Sequence, residues 1–235
     1  MAELRSIHSR GALDEGLVAL QQDLRTLASL LDVAIERSML ALERLDRQLA
    51  EEVIRDDAEI NELRYASEER AIELIARHQP IAGDLRLIIA VLSAVSELER
   101  MGDYCAGIAR VALLHGDRPL LKPLIDMPRM AAVVREMLRD AIDAFIARDA
   151  DAAEKVAKRD DEIDVLYEHI YRELLTYMLA DPTNIDRATW LLWVAHNLER
   201  MGDRIQNICE RTVFEATGVM REFSGAGRTW QGRTQ

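Results

Sequence analysis

A six-residue segment, Leu-Glu-Arg-Met-Gly-Asp, occurs twice in this chain, at residues 98–103 and again at residues 198–203. An identical match of that length within 235 residues is improbable by chance, so it indicates a chain built from two related halves. Each copy places a glutamate and an aspartate four residues apart. On a helix this spacing puts both carboxylates on one face. The repeat therefore predicts a paired acidic site in each half.

Apolar residues recur at helical spacing along most of the chain, and no run of alternating apolar and polar residues indicates a strand. Short connections between long helices favour antiparallel packing of successive helices. We therefore predict an all-α fold of two tandem three-helix bundles related by internal duplication. The six predicted helices cover residues 13–49, 51–78, 84–114, 129–147, 150–179 and 184–217.

The predicted domain boundaries follow from the proline content and the composition of the chain. Residues 13–116 form the first predicted bundle and residues 129–217 the second. Residues 117–128, which contain three prolines counting Pro128, are the predicted linker. Residues 224–235 are rich in Gly, Arg and Thr, and we predict a disordered tail there, with a short contact through Trp230 left open.

The composition excludes several classes of protein. The 42 acidic and 30 basic residues give a formal charge of −12, which argues against a protein that binds the phosphate backbone of nucleic acids. No apolar stretch of about 18 residues and no signal sequence are present, so we predict a cytoplasmic protein without direct membrane insertion. Cys105 and Cys209 do not form a Cys-x-x-Cys motif, which argues against a thiolate metal site.

The acids of the repeated segment fall on the apolar side of their helices. On a helical wheel, Glu99 and Asp103 lie within the stripe that contains Leu92. Glu199 and Asp203 occupy the same place in the last predicted helix. Carboxylates that face a core are costly unless cations or hydrogen bonds compensate them.

The second and fifth predicted helices carry a matching polar pair. Asp57 and Asn61 lie on the second helix, and Asp160 and Asp164 lie at the aligned positions of the fifth. Asp57 and Asp103 are equally far from the proline in the turn between their helices, which places them at one height in an antiparallel hairpin. The second half repeats this register to within one residue. Each half thus stacks one polar pair against another.

Several acids at one level of a bundle repel one another unless a cation lies between them. Oxygen ligands suit hard cations, and the metal remains open among iron, Mn, Mg, Zn and Ca. Two other interpretations also remain open: arginines such as Arg64, Arg100 or Arg200 pair with the acids, or the acids line a solvated groove. The predicted metal ligands are Asp57, Asn61, Glu99, Asp103, Asp160, Asp164, Glu199 and Asp203.

Taken together, these residues resemble a known family. The doubled Leu-Glu-Arg-x-Gly-Asp motif, the segment at residues 53–61, and Arg-His-Gln-Pro at residues 77–80 followed by Asp84-Leu-Arg86 resemble PhoU, a family of bacterial phosphate-signalling regulators. The resemblance covers residues 13–217. It implies a homodimeric, cytoplasmic regulator that acts with the phosphate ABC transporter ATPase and the phosphate-sensing histidine kinase. Such a regulator restrains phosphate uptake and the phosphate-starvation response when phosphate is plentiful.

The resemblance also implies metal clusters at the Glu-x-x-x-Asp positions. Carried onto this chain, the acids are Glu99, Asp103, Glu199 and Asp203, with Asp57, Asp160 and Asp164 as partners from the neighbouring helices. Asn61 departs from an all-acid pattern, which predicts fewer or weaker ions in the first half.

The chain is predicted not to be an enzyme. It has no Gly-rich phosphate loop, no Gly-x-Ser-x-Gly motif and no Cys/His pairing. Two alternatives stay open from the residues themselves. One is a metal-dependent helical-bundle enzyme such as a phosphohydrolase, and the other is a metal-free structural adaptor.

Overall fold

The computed structural model describes residues 2–116 and 118–223, and the described residues contain helices and no strands. The predicted all-α fold with an internal duplication is confirmed. The predicted tail at residues 224–235 lies outside the described residues. The helices are α1 (Ala2–Arg44), α2 (Arg47–His78), α3 (Ala82–His115), α4 (Asp126–Ala147), α5 (Ala150–Ala157), α6 (Asp160–Ala180) and α7 (Ile185–Thr217), with a 3₁₀ turn at Pro182–Asn184 before α7.

The first helix ends earlier than predicted, at a turn that the second half repeats. Leu45 takes a positive φ of 51°, and Asp46 then caps α2 by accepting a hydrogen bond from the Leu49 N–H at 3.0 Å. Arg148 takes a φ of 56° at the aligned position, and the Asp149 carboxylate caps α5 in the same way. The apolar pattern runs through this turn, which is why the pattern alone did not show it.

The fifth predicted helix, residues 150–179, is two helices in the structure. The break lies at residues 158–159, where the Arg159 N–H donates to the carbonyl of Val156, three residues earlier, at 2.9 Å. The Arg159 guanidinium contacts Glu136 at 2.8 Å and Asp140 at 3.4 Å on α4, and Glu162 at 3.2 Å on α6. These contacts hold the break against α4, and no Gly or Pro marks it in the sequence.

The two halves pack through equivalent helices. Helix α3 packs against α1, α2 and α7, while α7 packs against α4, α5, α6 and α3. Buried apolar side chains from both halves form one core, which includes Leu31 and Leu98 of the first half and Phe145 and Leu198 of the second. The predicted division into two bundles stays a prediction.

Ion pairs cross between the halves at the edge of this core. The Arg135 guanidinium of α4 donates to both carboxylate oxygens of Asp32 of α1, at 2.9 and 2.8 Å, and it contacts Glu36 at 3.2 Å. Arg139 contacts Asp32 at 3.1 Å. Arg204 of α7 pairs with Glu97 of α3 at 3.1 Å.

None of the helices in the part of the chain that the structure describes is both long and apolar enough to cross a membrane.

We expect Asp32→Asn to lower the free energy of unfolding at pH 7 by about 1 kcal/mol, because it weakens a two-pronged charged hydrogen bond that is only partly exposed. The hydrogen bond from Arg135 lowers the pKa of Asp32, with further lowering from the charges of Arg135 and Arg139. A carboxylate with a depressed folded-state pKa stabilises the fold above its unfolded pKa, and this contribution is lost as the pH falls through the folded pKa. Chemical denaturation at pH 7 and in the acid range measures both effects.

The exposed acid Glu62 provides the control, since Glu62→Gln removes one exposed negative charge from α2. Equal unfolding curves for the parent, Asp32→Asn and Glu62→Gln at pH 7 would contradict the assigned role of the pair.

Candidate functional site

The acidic pair of the first half lies where α2 contacts the backbone of α3. A Cβ placed on Gly102 would lie 2.7 Å from Asp57 Oδ1 and 3.2 Å from Ile60 Cδ1. Such distances are too short for any residue larger than glycine without movement of its neighbours. The glycine that precedes Asp103 therefore lets the Asp57 carboxylate sit against the α3 backbone. The predicted register of the hairpin is confirmed to within one residue.

The second half repeats this contact at the aligned residues. A Cβ on Gly202 would overlap Asp160 Oδ1 and would lie 2.9 Å from Ile163 Cδ1. Asp160 is the first residue of α6, so the break between α5 and α6 fixes its position. The two copies of the motif thus share one packing arrangement, in which glycine admits a carboxylate from the neighbouring helix.

In the first half, burial and the charge of a neighbouring acid raise the pKa values of Asp57 and Glu99. Burial raises the pKa of Asp57 and, after burial, the charge of Asp103 raises it further. Burial and then the charge of Asp103 raise the pKa of Glu99, while Arg64 and Arg100 lower it. The charge of Asp103 therefore affects both other acids. Two of the arginines expected from the sequence, Arg64 and Arg100, oppose this effect at Glu99.

Asn61 is turned toward Asp57 rather than away from it. Its amide nitrogen donates to Asp57 Oδ2 at 3.0 Å and to the Asp57 carbonyl oxygen at 3.1 Å. Asp57 Oδ1 is buried and has no hydrogen-bond partner among the described residues. It lines a small cavity of about 100 Å³ together with Gly102 and Cys105. Burial, followed by the charge of Asp57, raises the pKa of the Cys105 thiol, which keeps that thiol protonated.

Three of the predicted acids of the second half, Asp160, Asp164 and Asp203, line an open cleft of about 400 Å³. Asp203 Oδ2 accepts a hydrogen bond from Arg200 at 3.0 Å. Glu199 lies outside the lining of this cleft, with Oε2 at 3.5 Å from His196 Nδ1. Burial, followed by the charge of Glu199, raises the pKa of Tyr167. The carboxylates that line the cleft belong to Asp160, Asp164, Asp203, Glu210 and Glu222, and the arginines are Arg200 and Arg204.

Within residues 2–116 and 118–223, no three His, Cys, Asp or Glu side chains converge in an arrangement that would hold a metal ion. In the first half, the charge of Asp103 raises the pKa values of both Asp57 and Glu99, so these three acids lie near one another. In the second half, Asp160, Asp164 and Asp203 line one cleft. Metal ligation by the predicted residues stays a prediction, and it would require their carboxylates to turn toward a common point.

Sequence reasoning did not identify three residues that shape these sites. The charge of Arg110, near the C-terminal end of α3, lowers the pKa of Asp57. Glu210 of α7 occupies the position aligned with Arg110, and it lines the second cleft together with Phe223. The side chain of Tyr104 in the first half raises the pKa of Arg200 in the second. Aligning the repeats beyond the identical segment would have shown Arg110 opposite Glu210.

We expect Gly102→Ala to lower the free energy of unfolding by about 1–2 kcal/mol, because the overlap with Asp57 and Ile60 outweighs the gain in helix propensity. Gly83→Ala is the matched control, since Gly83 lies in the same helix and nothing lies within 4 Å of the added Cβ. The double variant Asp57→Ala/Gly102→Ala should lose about 1 kcal/mol less than the sum of the single losses. Urea denaturation of all four variants measures this coupling, and additive losses would contradict the close contact.

A model of the PhoU domain family matches the chain twice, over residues 21–112 and 127–212. The two matches coincide with the two structural halves and contain both copies of the repeated motif.

Curated relatives match over most of their length. A protein of Aquifex aeolicus named phosphate-specific transport system accessory protein PhoU homolog is 44% identical over 174 residues, which cover 74% of this chain and 79% of the relative. A protein of the same name from Clostridium acetobutylicum is 36% identical, over 89% of this chain and 96% of the relative.

A solved structure has the same fold. The crystal structure of the phosphate transport system regulatory protein PhoU from Streptococcus pneumoniae superposes with a TM-score of 0.83 at 33% identity, over 89% of this chain and 99% of that one. Two family matches, high coverage of the relatives and a shared architecture lead to one conclusion: the chain belongs to the PhoU family.

Proposed function

We propose that the protein is a negative regulator of phosphate uptake and of the phosphate-starvation response. The observation that carries this proposal is the double match to the PhoU domain, together with relatives that are named as accessory proteins of the phosphate-specific transport system. The proposed partners are the phosphate ABC transporter ATPase and the phosphate-sensing histidine kinase, with a homodimer as the working form. The proposed action is protein contact without chemical turnover.

The charge distribution supports a role in protein contact. The chain carries a formal charge of −12, and acids of both halves lie on the hairpins α2–α3 and α6–α7. Negative surfaces of this kind favour encounters with basic surfaces and set the orientation of the complex. Trp193 is 56% exposed on α7, one turn before His196, and offers an aromatic anchor beside these charges.

We further propose that the acidic clusters take up hard cations. The donors are oxygens, and Asp57 Oδ1 is buried without a hydrogen-bond partner in the described structure, which suits a ligand that a cation would complete. When bound, a metal would neutralise the charge of Asp103, which adds to burial in raising the pKa values of Asp57 and Glu99. Asn61 contributes a neutral amide where Asp164 contributes a carboxylate, so the second cluster should bind the ion more tightly.

Deletion of the gene in its own host should raise alkaline phosphatase activity at high phosphate, because the restraint on the kinase is lost. Phosphatase activity and phosphate uptake are measured in the deletion strain, and the parent gene supplied in trans provides the control. Affinity capture of the tagged protein, probed for the transporter ATPase and the kinase, identifies which contact is made. Normal repression and normal uptake in the deletion strain would contradict the proposed function.

Asp103→Ala/Asp203→Ala should lower the metal content of protein that is purified natively, because each substitution removes one carboxylate ligand from each cluster. Elemental analysis by mass spectrometry measures the number of ions per chain. The control Glu62→Ala/Asp161→Ala removes two exposed acids from α2 and α6. An unchanged number of metal ions per chain in Asp103→Ala/Asp203→Ala would contradict the metal proposal. Turnover of phosphate esters by the metal-loaded protein would favour an enzyme instead.

A further inference from the structure

An aromatic cluster lies on the surface of the hairpin that α6 and α7 form. The Tyr167 ring of α6 lies beside Tyr171, with ring centroids 6.5 Å apart, and beside His196 of α7, at 6.4 Å. Trp193 precedes His196 by three residues on α7, while Tyr171 follows Tyr167 by four residues on α6. Because the two helices are antiparallel, Trp193 and Tyr171 lie at a similar height. We call Tyr167, Tyr171, Trp193 and His196 the aromatic patch.

Much of the aromatic patch faces solvent. Trp193 is 56% exposed, Tyr171 is 38% exposed, and the His196 side chain is 52% exposed. Phe, Trp and Tyr together make up only 5% of the chain, so three of them on one surface is a concentration that the composition does not explain. Exposed apolar groups that cluster in this way mark a contact surface, whereas single exposed groups do not.

The first half has no aromatic ring at any of the four aligned positions. On α2 these positions hold Arg64 and Glu68, which form an ion pair at 2.9 Å. On α3 they hold Ser93 and Ser96. The same hairpin therefore folds without these rings, so the fold itself does not require them.

Carboxylates border the aromatic patch. Burial raises the pKa of Tyr167, and the charges of Glu199 and Glu168 raise it further, which places both acids near the ring. Burial lowers the pKa of His196, and the charge of Arg200 lowers it further. The imidazole is therefore neutral at pH 7 and adds no positive charge to the aromatic patch.

The arginines of the chain at this border are engaged with acids. Arg200 donates to Asp203 at 3.0 Å, which lies one turn beyond Glu199 on α7. Arg172 pairs with Glu168 at 2.6 Å, and its side chain is 73% exposed. An ion pair this exposed contributes little to stability. A cation from a second molecule can therefore replace Arg172 beside Glu168 with a small loss.

We infer that the aromatic patch binds an arginine side chain of a protein partner, with the guanidinium plane against the rings and its N–H groups directed at Glu199 or Glu168. A guanidinium is attracted to an aromatic face within about 6 Å of the ring centroid, and its planar fork matches a carboxylate. The aromatic patch offers both contacts, in a chain whose formal charge of −12 attracts basic surfaces. This inference rests on the proposed function, since it names the surface through which the regulator makes contact.

Titration with an arginine peptide tests the contact directly. The probe is a blocked repeat of arginine and alanine, and the controls replace every arginine by lysine or by glutamine. The readout is the indole N–H resonance of Trp193 in a proton–nitrogen NMR spectrum, assigned with Trp193→Phe. We expect the arginine peptide to bind about fivefold more tightly than the lysine peptide, because only the guanidinium both stacks and forks. The glutamine peptide should leave the resonance unshifted.

The first half supplies charge-neutral replacements for the aromatic patch. Tyr167→Arg/Tyr171→Glu installs the ion pair of the aligned positions, and Trp193→Ser/His196→Ser installs the aligned serines, so neither variant changes the net charge at pH 7. Each variant should bind the arginine peptide about tenfold more weakly than the parent, because the stacking is lost while the surrounding charge remains. Isothermal titration calorimetry measures the affinities.

The matched control removes exposed apolar side chains from the first half. Tyr65 and Ile72 of α2 are 57% and 62% exposed, and Tyr65→Ala/Ile72→Ala should bind the arginine peptide as the parent does. Trp193→Ser/His196→Ser keeps the test decisive if Tyr167→Arg disturbs the core, because both replaced side chains are more than half exposed. Equal affinity of this variant and the parent would overturn the inference. Loss of self-association by this variant in analytical ultracentrifugation would overturn it too, because the aromatic patch would then join copies of the chain.

Complementation of the deletion strain separates this inference from the proposed function. Supplied in trans, Trp193→Ser/His196→Ser should leave alkaline phosphatase activity at high phosphate about fivefold above that with the parent gene, because an aromatic anchor of the contact is lost. Full repression by this variant would overturn the inference and leave the proposed function standing. Normal repression in the deletion strain itself would contradict the proposed function, and the peptide titration would still decide whether the aromatic patch binds arginine.

Discussion

The contact on which both halves depend is a carboxylate packed against the backbone of a neighbouring helix. Asp57 meets Gly102, and Asp160 meets Gly202, because glycine alone leaves room for the approaching oxygen. The glycine therefore decides how close the hairpin helices come. It also decides that the next residue, an aspartate, lies beside the incoming acid. The close contact between the carboxylate and the glycine therefore sets both the packing of the two helices and the proximity of their acids.

The repeated backbone arrangement carries different charges in the two halves. The first site has an amide donor to Asp57, and the charges of its arginines partly offset the burial and repulsion that raise the pKa values of Asp57 and Glu99. The second site opens into a cleft with more carboxylates, bordered by Phe223 and Glu210. Duplication thus preserved the geometry that glycine imposes while the surrounding side chains diverged. The two sites therefore share one backbone geometry and differ in their charge.

The halves are also joined through the two helices that carry the motif. Helices α3 and α7 pack against each other, and each carries one copy of the motif. The side chain of Tyr104 in one half raises the pKa of Arg200 in the other, and Arg200 donates a hydrogen bond to Asp203 at 3.0 Å. The central helix pair therefore connects the two copies of the motif.

The sequence by itself determined the helical class, the duplication, the identity of the acids and the register that stacks them. Those features depend on periodicity and on counting along helices, which are local properties of the chain. The helix ends were harder to predict, because the turn at residues 45–46 and the break at residues 158–159 contain neither Gly nor Pro. The turn depends on the Asp46 cap, and the break depends on the ion pairs of Arg159 with α4. Only the tertiary structure decided which cations act on which acids and that the chain returns to the second cleft after α7. These outcomes depend on side chains that are far apart in the sequence, and no local pattern can report contacts that form only when the helices pack.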